Sequence, residues 1–386
     1  MRRRHLLAGG AALAAAASLQ PVLTGTAQAA PLPGRLPSRS AVVAVLRRVA
    51  DQWIATHTDP GDNGWANATF FSGLLALQRL TGSPRYLAYA RSWAEQHAYG
   101  LKGGVTTRHA DNHCAGQAYL DLYEIEPEEQ KITAIETSLH RMIYTDQPEK
   151  NDDWWWDDAL HMAMPPFARL GALRKDPQYW QKLYSLYDHT KRVEGGTGLY
   201  DATTGLWYRD KRFLPGVPGG IVSPAGKPVV WSRGNGWVAG GHTKTLKALP
   251  PTQRHTAEHL EYRDTLIRLV TAVARVQRTD GFWNVNLADP AHLPGPETSG
   301  TSFFLYGTSY AIGAGLVDRR TCLPVAARAW NGLVTTAVHP DGFLGYVQNV
   351  GDRPDSSQPV TYDSTADFGV GAFLLAGTEL ARLAGP

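Results

Sequence analysis

Residues 152–165 hold the densest group of side chains in this sequence that could do chemistry. Four aspartates bracket three consecutive tryptophans, and a helical pattern of apolar residues follows them. Indole rings can stack on the C–H face of a pyranose, while carboxyl groups bond sugar hydroxyls or act as general acids and bases. The cluster therefore indicates a sugar site. The alternative is that the tryptophans are core residues and that the aspartates cap a helix, which is an ordinary use of aspartate.

The first thirty residues have the order of an export signal. A basic segment that includes Arg3 and Arg4 precedes an apolar run at 8–19, and a small-residue Ala-x-Ala site follows at 27–29. The paired arginines favour the twin-arginine route, and the run is too short and too rich in alanine for a convincing membrane span. We expect residues 1–30 to be an export signal peptide and the protein to be secreted. A retained anchor is the alternative.

Composition excludes several other classes of protein. The charges are nearly balanced, with 38 basic and 35 acidic residues, and their scatter gives no nucleic-acid footprint. Cys114 and Cys322 are the only cysteines, too few for a disulfide scaffold and without metal-ligand spacing, so we expect both to be free. No linker composition interrupts the chain after Ser40. We therefore expect a single domain over residues 31–386, with no cofactor, no metal and no stable membrane association, and we leave the oligomeric state open.

Helical segments with apolar residues at positions i, i+3, i+4 and i+7 recur along the chain. Their period of roughly 45 to 65 residues points to a repeated helix-hairpin unit. Between the hairpins lie aromatic, glycine-rich loops that could form short strands. Six such hairpins predict an all-α fold, an (α/α)6 barrel with short strands in its loops and a concave, aromatic-lined mouth that suits the end of a saccharide. The segments are 70–82, 115–123, 164–173, 240–249, 306–316 and 371–383, and the loops include 205–210, 280–283 and 341–346.

Five strings together resemble glycoside hydrolase family 105, which is related to family 88. In chain order they read N-G-W-A-N, A-D-N-H-C-A-G-Q, W-D-D-A-L-H-M, W-S-R-G-N-G-W and E-T-S-G-T, at 63–67, 110–117, 156–162, 231–237 and 297–301. The fourth and fifth strings are the specific ones. The resemblance implies an (α/α)6 barrel without a metal. It also implies removal of a 4,5-unsaturated uronic acid from the non-reducing end of an oligosaccharide left by a polysaccharide lyase.

The resemblance also implies roles for particular residues. The family's catalytic aspartate, in a W-x-D-x-x-x-M string, falls on Asp158, with Asp157 at the variable position, and a second functional aspartate falls on Asp111. An alternative role for Arg233 is to hold a turn at 234–236. For Glu297 there are two equal alternatives, a position at the entry of a helix and a contact with the sugar. His113 and His161 are more often satisfied helix histidines than acids. The expected substrate-binding residues are Trp65, Asn67, His113, Trp156, His161, Trp207, Arg209, Trp231, Arg233 and Trp237.

One departure from the family pattern concerns the source polysaccharide. Pectin-type members often carry histidine after an aromatic residue where this chain has Trp207-Tyr208-Arg209. This difference disfavours rhamnogalacturonan. It favours another unsaturated uronide, such as one from arabinogalactan, a glycosaminoglycan or a related glucuronan.

The chemistry explains why one aspartate in an apolar wall would suffice. The substrate ring is a vinyl ether, so it can be protonated at C4 and hydrated at C5. One aspartate can deliver that proton if apolar neighbours, here Trp154 to Trp156, raise its pKa. Arg233 or Arg209 can bind the substrate carboxylate as a fork. The competing functions are a conventional uronidase, a polysaccharide lyase that would draw a base from His113, His161 or Tyr208, and a catalytically silent glycan-binding protein.

Overall fold

The computed structural model describes residues 36–384. The predicted export segment at 1–30 lies outside the described residues. Within them, helices dominate, and one two-stranded antiparallel ribbon joins β1 (Tyr200–Asp201) to β2 (Leu206–Trp207), with Tyr200 opposite Trp207. The α-helices are α1 Arg39–Thr56, α2 Trp65–Thr81, α3 Pro84–Gln96, α4 Ala110–His113, α5 Ala115–Ile125, α6 Thr133–Tyr144, α7 Ala159–Arg174, α8 Pro177–Arg192, α9 Ser232–Ala248, α10 Ala257–Arg275, α11 Thr298–Gly313, α12 Arg319–Gly332 and α13 Asp367–Leu383.

The helices alternate between an inner and an outer ring. The inner helices α2, α5, α7, α9, α11 and α13 each pack on the next, and α13 packs back on α2 to close the ring. The outer helices α1, α3, α6, α8, α10 and α12 pack against this ring, and the single turn α4 leads into α5. The predicted (α/α)6 barrel with short strands in its loops is therefore confirmed.

Burial along each helix follows its place in the two rings. The outer helix α8 buries a single stripe that includes Tyr179, Leu183, Leu186 and Thr190, which is the 3.6-residue spacing of an amphipathic helix. The inner helix α11 instead buries every residue except Tyr310 and Gly313. A helix that is apolar or small on all sides can be covered only by neighbours on all sides, so this difference in pattern sorts the helices into the two rings.

All inner helices begin at the same end of the barrel, because each is entered from an outer helix running the opposite way. The long connections lie at this end, at 97–109, 145–158, 193–231, 276–297 and 338–366, whereas the turn at 175–176 on the opposite end is short. The barrel therefore presents its loops and its inner-helix N-termini together at one mouth. Within residues 36–384, no helix combines the length and apolar character needed to cross a bilayer.

Glycines let the last inner helix close against the first. A Cβ atom on Gly371 of α13 would lie 2.3 Å from the Thr69 carbonyl oxygen of α2. A Cβ atom on Gly73 of α2 would lie 2.4 Å from the Gly371 carbonyl oxygen. Both obstacles are backbone atoms that cannot rotate away, so the ring closes only because neither residue has a side chain.

We predict that Gly371→Ala destabilises the protein, because overpacking of a rigid core contact typically costs about 1–3 kcal/mol. The matched control is Gly313→Ala on α11, where the new methyl would meet one flexible Leu383 methyl group at 3.2 Å. Thermal unfolding of both variants measures the difference. Equal melting temperatures for the two variants would contradict the proposed role of the α2–α13 approach.

Candidate active site

The mouth of the barrel brings Asp158 and Arg209 together. Asp158 immediately precedes α7, and its Oδ2 lies 3.7 Å from Arg209 Nε. Arg209 follows β2, and its Nη1 donates to Asp210 Oδ2 at 2.6 Å. A backbone bridge joins Trp156 to Asp210, and the Asp157 N–H donates to the Arg209 carbonyl at 2.8 Å. This pairing of two loops fixes the guanidinium beside the carboxyl group.

The Asp157 carboxyl group points away from solvent and into the barrel wall. The residue is fully buried, and neither oxygen has a hydrogen-bond partner among the described residues. A Cβ atom on Gly234 of α9 would lie 2.6 Å from Oδ2, so the glycine makes room for it. Burial raises the pKa of Asp157 well above its usual value, and the neighbouring Asp158 charge raises it further.

Two carboxyl groups in the mouth have raised pKa values. Burial raises the pKa of Asp158, and the charges of Arg209 and Arg233 oppose that shift. Burial, together with the charge of Asp158, raises the pKa of Asp111 from 3.8 to about 7. Asp111 lies on α4, where its Oδ2 is 3.8 Å from His109 Nδ1. The mouth can therefore hold a carboxylic acid proton near neutral pH.

The three consecutive tryptophans face three different environments. Trp154 is fully buried, with its ring edge on Phe167 at 6.0 Å. Trp156 is buried with its ring 4.8 Å from His109. Trp155 is exposed, and its ring lies 5.5 Å from the Arg209 guanidinium carbon. The continuous apolar wall expected from the sequence is therefore reduced to Trp156 and the inner face of Trp155.

Arg233 on α9 lies between two aromatic rings, that of Trp231 just before the same helix and that of Phe368 on α13. Its guanidinium carbon lies 4.4 Å from the Trp231 ring centre and 5.2 Å from that of Phe368. Burial lowers the pKa of Arg233 to about 10, so it remains charged at neutral pH. Its Nη1 donates to the carbonyls of Gln348 at 2.6 Å and Asn349 at 2.9 Å. Residues 234–236 lie inside α9, so the expected turn is absent there and Arg233 holds a distant loop instead.

Glu297 fixes that distant loop from the other side. Its buried carboxylate accepts hydrogen bonds from the N–H groups of Ser299 at 2.8 Å and Gly300 at 2.7 Å, which caps α11. It also accepts from the Gln348 N–H at 3.2 Å, and the Gln348 side chain in turn accepts from Trp231 Nε1 at 2.8 Å. Of the two roles considered for Glu297, this geometry supports the helix cap.

Trp65, Trp237 and His161 line the deeper part of the barrel. Trp65 is half-buried and meets Trp237 edge-on at 5.8 Å, while Trp237 packs on His161 at 4.8 Å. Burial lowers the pKa of His161 well below its usual value, so the ring is neutral. Neither ring nitrogen has a hydrogen-bond partner among the described residues.

Three of the sequence-predicted contacts occupy structural positions. Asn67 uses its amide to hold the Pro60 and Asp62 carbonyls, at 2.5 and 2.8 Å. Burial lowers the pKa of His113 to about 4, and its Nε2 bonds Ser138 Oγ at 3.0 Å on the outer ring. Trp207 is fully buried, with its ring 6.3 Å from Tyr187 on α8, and Asn235 bonds its backbone N–H and carbonyl. The polar groups of Asn67 and His113 are thus bonded within the protein, and the Trp207 ring is packed inside it.

Sequence reasoning missed Phe368, Gln348 and Asp210. Phe368 had a usable signal, because it stands at the start of the last inner helix, as Trp65 does at the start of the first. Asp210 follows the aromatic string that pointed to Arg209. Gln348 lies in an irregular loop and had no such signal.

Cys114 and Cys322 are both free and buried, as expected. Among residues 36–384, no three His, Cys, Asp or Glu side chains converge in a way that could hold a metal ion. The site described above consists of carboxyl groups, arginines and aromatic rings.

An (α/α)6 barrel with paired carboxyl groups in an aromatic mouth defines a carbohydrate-active enzyme. The family model described as Glycosyl Hydrolase Family 88 matches residues 41–384, so the chain belongs to that family and is a glycoside hydrolase. This confirms the resemblance found in the sequence.

Relatives agree with this assignment. An unsaturated 3S-rhamnoglycuronyl hydrolase from Formosa agariphila is 28% identical over 335 residues, which cover 83% of this chain and 84% of that protein. A glycosyl hydrolase family 88 structure from Bacteroides vulgatus is 32% identical with a TM-score of 0.81, covering 90% of this chain and 99% of its own. A structure described as a polysaccharide lyase is 35% identical with a TM-score of 0.80, covering 89% and 98%. A possible GH105 member from Salmonella enterica, at 21% identity, TM-score 0.73 and coverage of 95% and 99%, shares the fold.

We predict that Asp111→Asn stabilises the protein more at pH 8 than at pH 5. Because the folded-state pKa lies above the usual 3.8, the folded protein binds the Asp111 proton more tightly than the unfolded chain does. Ionisation therefore costs stability increasingly as pH rises from about 4, and the cost is complete above about 7. The gain in the free energy of unfolding should be larger at pH 8 than at pH 5 by at most about 3 kcal/mol. Solvent screening reduces this difference, because the Asp111 side chain is 28% exposed.

Denaturant unfolding at the two pH values measures this gain. Asp152→Asn is the control, because Asp152 is an exposed carboxylate that pairs with Lys150 at 2.9 Å. A pH-independent effect of Asp111→Asn would contradict a raised pKa at this position.

Proposed function

We propose that the enzyme removes a 4,5-unsaturated uronic acid from the non-reducing end of lyase-generated oligosaccharides. The observation that carries this proposal is the placement of Asp158, a carboxyl group whose pKa is raised by burial, 3.7 Å from one arginine and in the field of a second. A proton donor beside a carboxylate-binding group is what an ene-carboxylate sugar requires. The name of the Formosa agariphila relative, an unsaturated rhamnoglycuronyl hydrolase, supports the same substrate class.

The proposed reaction begins with proton transfer. Asp158 donates its proton to C4, the C4=C5 π electrons form the new C–H bond, and the ring oxygen stabilises the positive charge at C5. Water then attacks C5 and loses a proton to the Asp158 carboxylate, which restores the acid. The resulting hemiketal opens to a C5 ketone, and C1 collapses to an aldehyde as the aglycone leaves with the glycosidic oxygen.

Two arginines are available for the substrate carboxylate. Arg209 Nε is buried and has no hydrogen-bond partner among the described residues. Arg233 hydrogen-bonds the loop carbonyls through Nη1. Charge-assisted bonds from these guanidinium groups would orient the ring with C4 toward Asp158. We assign Asp111 as the second functional carboxyl group, with Trp156, Trp231 and Trp65 as the apolar surroundings.

Arg209 also bears on the source of the substrate. It replaces the histidine that pectin-type members often carry, and it lies in the mouth against Asp158 rather than on a remote loop. We therefore propose an unsaturated uronide from a polymer other than rhamnogalacturonan.

A polysaccharide lyase is the second candidate function, because one similar structure is described as a polysaccharide lyase. A lyase needs a base that can remove the C5 proton. His113 is fully buried and bonded to Ser138 of the outer helix α6, His161 is buried with a lowered pKa, and burial raises the pKa of Tyr208. A histidine is a better base when its pKa is near neutral, and a tyrosine when its pKa is low. The geometry therefore favours hydration of an existing double bond over its formation.

We predict that Asp158→Asn abolishes turnover while leaving the fold intact, because an amide can neither protonate C4 nor accept a proton from water. Loss of general acid–base catalysis alone is worth roughly two to four orders of magnitude in kcat. The measurement is the decay of ene-carboxylate absorbance with a panel of unsaturated disaccharides. The matched variant Asp157→Asn should retain far more activity, because that carboxyl group is fully buried against Gly234 and away from the substrate.

A different order of effects would identify another residue. If Asp157→Asn loses kcat while Asp158→Asn keeps it, the roles of the adjacent aspartates are reversed. If the wild type instead produces new ene-carboxylate absorbance from saturated polymers, the enzyme is a lyase.

We also propose that the enzyme is exported by the twin-arginine route, in keeping with the basic, apolar and Ala-x-Ala order of its first thirty residues. Replacing Arg3 and Arg4 together with lysine should keep the chain inside the native host, while the unaltered chain should yield a mature protein that begins near Ala30. Fractionation of culture medium and cells measures both. Normal export of the double variant would rule out this route.

A further inference from the structure

Trp155 is the one tryptophan with an exposed side chain. The sequence has twelve tryptophans, and all the others are buried or half-buried in the structure. Trp155 is 43% exposed. A single exposed apolar residue is common on protein surfaces, so exposure alone carries no conclusion. This indole is a candidate for ligand binding because of its position, three residues before Asp158.

The indole is held rigidly beside the site. The Trp154 carbonyl before it accepts from Thr190 Oγ1 at 2.7 Å, and the Asp157 N–H after it donates to Arg209. The Trp156 ring contacts it at 4.6 Å, and the Arg209 guanidinium carbon lies 5.5 Å from its centre. The platform is therefore preorganised, which lowers the entropy lost when a ligand binds.

Arg209 connects this platform to the proposed catalytic acid. Its Nε lies 3.7 Å from Asp158 Oδ2, and its guanidinium carbon lies 5.5 Å from the centre of the Trp155 ring. A sugar that stacks on the open part of the indole is thus separated from Asp158 by a single guanidinium group. A uronic acid held beside Asp158 would place the next sugar within reach of this indole.

We propose that Trp155 and Arg209 form the binding site for the sugar that carries the unsaturated uronic acid. The ligand is a pyranose on the reducing side of the scissile bond, stacked by its C–H face on the indole. Nη1 of Arg209 donates to Asp210, and the guanidinium makes no other hydrogen bond to a described residue, so Nε and Nη2 have donors left for both the substrate carboxylate and a hydroxyl of this sugar. This inference rests on the proposed function, because it identifies the aglycone site of that same reaction.

The test compares two substrates of the same unsaturated glucuronic acid, one linked to rhamnose and one linked to a methyl group. Trp155→Ala should lower the ratio of kcat/KM for the disaccharide over the methyl glycoside by about threefold to tenfold, since the methyl group cannot stack. Trp155→Phe should recover most of the ratio because it restores an aromatic ring. The control is Tyr144→Ala, an exposed aromatic residue on the outer helix α6, which should leave the ratio as in the wild type.

Two results would overturn this inference. In the first, Trp155→Ala lowers activity on both substrates by the same factor, which indicates a role in the fold or in catalysis. In the second, the ratio is unchanged. If the wild type cleaves neither substrate, the proposed function fails. Calorimetric binding of the same disaccharide then tests whether Trp155 contributes to a sugar-binding site. Weaker binding by Trp155→Ala than by Tyr144→Ala would support it, and equal binding would reject it.

Discussion

The backbone pairing between the loop before α7 and the loop after β2 is the constraint on which the site depends. The Asp157 N–H donates to the Arg209 carbonyl, and Trp156 bridges to Asp210. These two contacts join segments about fifty residues apart and bring the Arg209 backbone next to that of Asp157 and Asp158. The same contacts turn Trp155 outward and Trp156 inward, since successive side chains along an extended segment point to opposite sides. A shift of one residue in this pairing would exchange the buried and exposed indoles and separate the arginine from the carboxyl group.

Burial then determines the chemistry. Asp111, Asp157 and Asp158 all have raised pKa values because the barrel removes water from them, and the charges of Arg209 and Arg233 limit the shift at Asp158. A lone buried carboxyl group would hold its proton too tightly to donate it readily to C4. A fully paired one would stay ionised and could not donate. The 3.7 Å separation of Arg209 from Asp158 is longer than a hydrogen bond, so the arginine moderates the acid without neutralising it.

Periodicity and motif spacing predicted the barrel and the location of Asp158, because both depend on local sequence. The alternation of a striped helix such as α8 with an all-buried helix such as α11 is readable from apolar spacing. The roles of three other residues, Trp207, His113 and Asn67, were harder to predict. Aromatic and polar residues occur both in binding sites and in the core, and only the packing of distant helices determines which role they have. Trp207 shows this well, since its backbone is clamped by Asn235 from α9 and its ring is buried beside α8. The contribution of Gln348 depends on a contact with Arg233 across more than one hundred residues, which no local pattern encodes.

The central claim is that an acid in this mouth protonates C4 of an unsaturated uronic acid and that water then adds at C5. The reaction in D2O tests it most directly, with proton NMR of the first product that forms. One deuterium is expected at C4, on a single face, because the donor is fixed on one side of the ring. Release of an intact cyclic unsaturated sugar, followed by slow deuteration on both faces in solution, would mean that the glycosidic bond breaks first and would contradict the account.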